Sequence, residues 1–215
     1  MIVSFSGIDS SGKSTQIDLL TQYCQVNNIQ ARRIWGKARG TPGVEFLKRL
    51  VRRDKNMNLA EKLEYRDRIY QSATKKRLLL LISILDLCWY FGLYYRVLAQ
   101  INKVLICDRY LWDTYVEVKN EFPEFDIDKW LLWKIVVFLS PKPKISFFLV
   151  IPAEESIRRD IEKKDLTVDS LELKKSKIGI YMKLLKQGKW TKVLDGLEPA
   201  GDIHKKILEE LHFEN

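Results

Sequence analysis

Gly7-Ile8-Asp9-Ser10-Ser11-Gly12-Lys13-Ser14, with Thr15 behind it, lies between an apolar stretch, Ile2–Ser6, and a run with helical spacing, Ser14–Asn27. A glycine, four residues, then Gly-Lys-Ser is the pattern of a loop that wraps phosphate groups. The two glycines let the backbone turn tightly and aim its N–H groups inward, and the following helix adds its positive N-terminal end. Lys13 brings a mobile charge for the outer phosphates, and the Ser14 hydroxyl suits Mg2+. Gly7, Asp9, Ser10, Ser11, Gly12, Lys13, Ser14 and Thr15 are thus the candidate cradle for a nucleoside triphosphate. An incidental glycine turn would not also carry the lysine, the hydroxyl and the strand-then-helix setting.

Outward from the loop, Gln30–Trp35, Lys103–Cys107, Lys144–Ile151 and Lys192–Leu194 read as strands. Helical periodicity predicts helices at Val44–Arg53, Leu59–Tyr70, Arg77–Gln100, Trp130–Leu139, Ala153–Lys164, Leu171–Gly188 and Asp202–Leu211. Strands alternating with helices predict an α/β fold with a parallel sheet covered on both faces. The third strand runs into Asp108-Arg109-Tyr110. A carboxylate there can hold Mg2+ or its water. Arg109 can clamp an acceptor phosphate with both arms of its guanidinium, at the strand end outside which such sheets bind ligands.

The chain has 215 residues, 46% of them apolar and 30% charged, as a globular domain does. No internal repeat or linker divides it, so one domain over 1–215 is expected. Its formal net charge of +9 favours anionic partners. The charge is scattered, with short clusters at Lys75–Arg77, Arg158–Arg159 and Lys174–Lys177, which fits phosphate contacts and solvated faces rather than nucleic acid. Cys24, Cys88 and Cys107 have neither metal nor disulfide spacing, and His204 and His212 suggest no metal site. Scattered thiols and no visible signal peptide predict a cytoplasmic protein. The run Leu78–Tyr95 reaches the length of a membrane span, but Asp86 interrupts it. A buried helix, or one used for dimerisation, is the expectation.

The chain resembles the thymidylate kinases and, more broadly, the nucleoside monophosphate kinases. The resemblance covers nearly the whole chain: Phe5–Thr15, Gly40-Thr41-Pro42, Cys107-Asp108-Arg109-Tyr110, Ile151-Pro152-Ala153-Glu154 to Arg158, and Asp169-Ser170-Leu171-Glu172. It implies a P-loop NTPase fold, a three-layer α/β/α sandwich with a five-stranded parallel sheet and a helical lid, placed at roughly 158–172. It also implies ATP and Mg2+, transfer of the γ-phosphoryl group to a small-molecule monophosphate, dTMP first, and a homodimer. By the same resemblance Asp9 holds the acceptor sugar, Arg109 grips the acceptor phosphate, and Arg158 lies by the adenine. Arg159, Lys163 and Lys164 fall in the lid and face the transferring group. Lys13, Asp108, Arg109 and Arg159 are then the expected catalytic set, with Ser14 and Asp108 as metal ligands.

Departures fall on the acceptor side. Where the family has Arg-Glu-Pro-Gly-Gly-Thr, this chain has Trp35-Gly36-Lys37-Ala38-Arg39-Gly40-Thr41, with Lys37 or Arg39 available to supply the charge. The positions at which the family reads thymine, a Phe and an Arg, are Ser83 and Leu87. Leu111–Glu117 also differs from the family stretch, and Trp89, Tyr90, Trp112 and Tyr115 are available to shape another pocket or to pack a core. Two other readings therefore stand beside dTMP. One is a kinase for another nucleotide or a sugar phosphate. The other is an ATP-binding regulatory protein with weak membrane association through Leu78–Tyr95.

Overall fold

A computed structural model describes residues 1–36, 72–163 and 169–212. The expected helices Val44–Arg53 and Leu59–Tyr70, the Gly40-Thr41-Pro42 stretch, and Lys37, Arg39 and Lys164 lie outside the described residues.

Ile2–Ser6 forms β1, buried along its whole length, as a strand inside a two-sided parallel sheet must be. Lys13–Val26 follows as α1, and Ala31–Trp35 as β2. Ala73–Trp89 is α2, which passes through a π turn at Tyr90–Tyr94 into α3, Tyr95–Ile101. Then come β3, Val104–Asp108; α4, Leu111–Glu121; α5, Leu131–Leu139; and β4, Ile145–Val150. α6, Ala153–Glu162, α7, Leu171–Lys186, β5, Lys192–Asp195, and α8, Ala200–Leu211, complete the described chain.

The chain divides into two units. The first contains Met1–Gly36, Val97–Asp126 and the region from Lys142 on, and it holds the sheet. The sheet has five strands in the order β2-β3-β1-β4-β5, all parallel. The chain leaves β1 to one side for β2 and β3, then crosses to the other for β4 and β5. Such a reversal opens a crevice at the carboxyl ends of the central strands.

Side chains alternate across the sheet. Phe147 joins one core with Phe5, Val3 and Ile106, covered by Ile17, Leu20 and Cys24 of α1 and by Ile203, Ile207 and Leu211 of α8. Phe148, one residue on, faces the opposite side and stacks on Tyr181 of α7 at 5.1 Å and Trp190 at 4.6 Å. The unit is therefore the expected three-layer α/β/α sandwich. Cys24 and Cys107 belong to its interior, and burial raises the pKa of both thiols. They act as small apolar side chains.

In the second unit the described residues are 72–96 and Ile127–Pro141. Gly92 sits in the π turn, where a Cβ would stand 3.3 Å from Leu139 Cβ, so its absence lets α5 come close. Arg96 Nη2 donates to the Leu139 carbonyl at 3.0 Å and satisfies the last turn of α5. Leu78, Leu85 and Leu93 are more than half exposed and Trp89 about half, and Leu131 and Phe138 of α5 are more exposed still. By length and composition the helix from Ala73 to Ile101 could cross a membrane, with a mean hydropathy of 1.7 over its most apolar window.

The sequence reading proposed no helix between Tyr110 and Trp130, but α4 is there. Its Trp, Thr, Tyr and two Val residues are poor helix formers, and tertiary burial decides the matter. Leu111, Thr114, Tyr115 and Val118 face inward, and Asp113 accepts the Tyr110 backbone N–H at 2.9 Å, capping the first turn.

Candidate active site

The register of β1 and β3 pairs Phe5 with Asp108, so the phosphate loop and the Asp108-Arg109-Tyr110 turn leave the sheet side by side. Arg109 N donates to the Phe5 carbonyl at 2.9 Å, extending that pairing by one bond. Arg109 then turns with φ 71, a left-handed conformation that carries its side chain over the loop. There its guanidinium is ion-paired with Asp9 and stands 3.9 Å from Glu117. Burial alone would raise the Asp9 pKa. Arg109, Lys13, Lys177 and Lys174 outweigh it and hold the carboxyl below its ordinary value.

The loop packs tightly against the sheet. A Cβ on Gly7 would lie 2.6 Å from the Leu149 carbonyl oxygen, and Gly7 and Gly12 have φ of 143° and 97°. Only glycine fits at either place. Gly196, after β5, is held in the same way, because a Cβ there would lie 2.8 Å from the Ser11 carbonyl. Lys13 Nζ donates to the carbonyls of Gly7 at 2.9 Å and Ile8 at 2.6 Å. Burial first, and Arg109 second, lower its pKa to about 7. Ser14 and Thr15 are exposed at the first turn of α1. This cradle of glycines, a lysine folded onto loop carbonyls and a helix N-terminus suits a triphosphate.

Asp108 is buried at the end of β3, and Arg33 of β2 donates to its Oδ2 at 2.9 Å. The Ser14 hydroxyl and Asp108 carboxylate are the hard oxygen donors that Mg2+ takes. No cluster of three or more histidine, cysteine or acidic residues fit for a metal occurs among the described residues.

The structure separates the two arginines expected in the lid. Arg158 is exposed and bonded to Glu155 and Glu162 along its own helix. Arg159 reaches the loop: it donates to the Ser10 carbonyl at 3.3 Å and the Gly196 carbonyl at 3.0 Å. Lys163 Nζ lies 3.2 Å from Ser10 Oγ. Trp112 and Tyr115 pack edge to face at 6.2 Å with Lys189 over the Trp112 ring, and Tyr90 stacks on Tyr94 at 5.3 Å.

Several residues that sequence reading passed over belong to this site. Asp113 accepts from Ser6 Oγ at 2.6 Å, Tyr110 N at 2.9 Å and Tyr181 Oη at 2.7 Å, tying the loop entrance to the Arg109 turn. Lys177 pairs with Asp169 at 2.7 Å and Glu117 at 3.2 Å, and these partners outweigh burial to raise its pKa. Lys174 pairs with Asp160 at 2.5 Å. The available signal was periodicity: Lys174, Lys177, Tyr181 and Leu184 fall on one face of α7, where lysines are out of place unless paired.

The sequence profile of the family described as "Thymidylate kinase" matches residues 5–207. "Probable thymidylate kinase 2" of Saccharolobus solfataricus is 23% identical, over 98% of this chain and 96% of its own length. The "Thymidylate kinase" of Fervidobacterium nodosum is 24% identical over 97% of each chain. That of Plasmodium falciparum is 23% identical, over 97% of this chain and 88% of its own. The chain belongs to the thymidylate kinase family and is a nucleoside monophosphate kinase.

Proposed function

We propose that this chain moves the γ-phosphoryl group of ATP to dTMP or a closely related nucleoside monophosphate, working as one kinase domain over 1–215 with a lid around 158–172. The observation that carries it is the junction at Asp9. One loop holds the phosphate cradle, and its acidic side chain is bonded to the arginine that would grip the acceptor. Lys13 and the loop N–H groups bind and orient the donor phosphates. Arg109 orients the acceptor phosphate, and Arg159 and Lys163 approach from the other side of Ser10. Ser14 and Asp108 would hold Mg2+, which neutralises phosphate charge when bound. Catalysis is then positioning and charge stabilisation, with no covalent intermediate on the protein.

The exposed apolar side chains on α2 and α5 support a homodimer, and the free thiols support a cytoplasmic setting. A second reading of the acceptor has its own support. Ser83 Oγ donates its proton to the Leu79 carbonyl at 2.8 Å, and Leu87 is 2% exposed and has no polar atom, so neither side chain replaces the stacking Phe and the Arg that read thymine in the family. ADP release measured over a panel of monophosphates tests both. Turnover with dTMP supports the first; an inert dTMP beside another active phosphate ester selects the second. Lys13→Ala should abolish turnover without unfolding the protein, and full activity in that variant refutes the site.

A further inference from the structure

Ser10 stands at the tip of the phosphate loop with φ 56, where a residue with a Cβ is uncommon. Glycine would take that conformation freely; serine needs something to hold it. Two chains of hydrogen bonds run from Lys174 to Ser10 and to its neighbour Asp9. Ser10 Oγ donates to Asp160 Oδ1 at 2.5 Å, and Asp160 Oδ2 accepts from Lys174 Nζ at 2.5 Å. The same Nζ donates to Ser156 Oγ at 2.6 Å, and Ser156 Oγ donates to the Asp9 carbonyl at 2.6 Å. Lys174 is 1% exposed and Asp160 is 4% exposed.

A buried ion pair is a poor source of stability, since an apolar pair of similar volume commonly does as well or better. Lys174 also takes a core-facing position of α7, in line with Tyr181 and Leu184. What the pair does have is direction: it fixes one hydroxyl and one carbonyl of the two loop residues, Asp9 and Ser10, that join the donor cradle to Arg109.

We propose that Asp160 and Lys174 are positioning residues for the donor nucleotide. They hold Ser10 in its left-handed conformation and so keep the loop N–H groups aimed at the phosphates. Neither touches the nucleotide. The inference rests on the reading that Gly7–Thr15 binds ATP.

The test is an epistasis experiment on the full chain. Asp160→Asn and Ser10→Ala each raise KM for ATP about tenfold, the size expected when one charged hydrogen bond at a strained residue is lost. KM for the monophosphate holds within about twofold, because the acceptor arginine is untouched. Ser10→Gly takes the left-handed conformation without a tether, so adding Asp160→Asn to it changes KM for ATP no further. The proposal is overturned if Asp160→Asn costs the same factor in the Ser10→Gly background as in the wild type, or if both KM values rise together. Ser10→Ala leaves the buried pair intact and decides the matter should Asp160→Asn fail to fold: an unchanged KM for ATP overturns the proposal. Failure of the underlying reading looks different, since the wild-type protein itself would then neither bind nor turn over ATP.

Discussion

The hydroxyl of Tyr181, on α7, donates to Asp113, on α4, at 2.7 Å, and both side chains are buried to within 1%. This bond ties α7 to the helix that follows Arg109, and Asp113 passes the connection to Ser6 at the mouth of the phosphate loop.

Every partner named for Asp113 is a donor, and a carboxylate only accepts. Asp113→Asn turns an amide N–H toward one of those donors and should cost about 1–3 kcal/mol. Tyr181→Phe removes one bond and should cost about 1 kcal/mol. Urea unfolding of the two variants checks the order. Equal costs would mean that Asp113 is held chiefly through Tyr181.

Gly196 lies outside the phosphate loop yet limits its position. In Gly196→Ala the new methyl meets Ile151 Cγ2 at 2.6 Å and the Ser11 carbonyl at 2.8 Å. Overpacking against backbone should destabilise by about 1–3 kcal/mol. ATP binding should weaken as well, because Ser11 must move. Calorimetric titration with ATP and thermal melts of the same sample measure both effects.

Arg158 and Arg159 should behave differently. Arg159→Ala removes donors from the Ser10 and Gly196 carbonyls and should raise KM for ATP about tenfold. Among the described residues Arg158 bonds Glu155 and Glu162 of its own helix, so Arg158→Ala should change KM for ATP less than about twofold. Steady-state kinetics at varied ATP gives the comparison, and a larger effect at Arg158 would move the adenine to its side of the helix.

Lys13 makes nucleotide binding depend on pH. Its pKa in the free protein is about 7, against an ordinary 10.5, with burial the main cause. The folded chain therefore holds fewer protons than the unfolded chain between those values, so without nucleotide this group's contribution to stability rises with pH across that window. Bound phosphate reverses the balance by favouring the ammonium form. ATP binding at pH 8 should then take up close to one proton, and affinity should fall about tenfold per unit as pH rises above 7. Titration calorimetry in buffers of different ionisation enthalpy counts the protons; no uptake at pH 8 would mean that Lys13 is already charged in the free protein.

Short-range patterns were the most readable part of this chain. The loop Gly7–Thr15 is recognised by spacing alone, and the central strands β1, β3 and β4 by their apolar runs. α4 escaped because its residues disfavour helices and only burial against the sandwich makes it one. The resemblance assigned Arg158 to the adenine and Arg159 to the transferring group, but which of the two bonds the Ser10 and Gly196 carbonyls is set by packing. Adjacent residues on a helix point about 100° apart, and nothing local says which direction faces the loop.

What the sequence determined by itself, then, was the chemistry at hand: a phosphate cradle, a carboxylate and an arginine at a strand end, and an alternation of elements that admits one class of fold. Those features are local, and backbone geometry within a few residues suffices to specify them. The tertiary structure decided which groups act together. β1 and β3 are about a hundred residues apart, yet their register sets Arg109 against Asp9. The crossing of α6 and α7 buries Lys174 against Asp160 beneath Ser10. Charges of this kind look like solvated surface in one dimension. Only packing shows that they have been taken out of water and given partners, and that is where the loop acquires its shape.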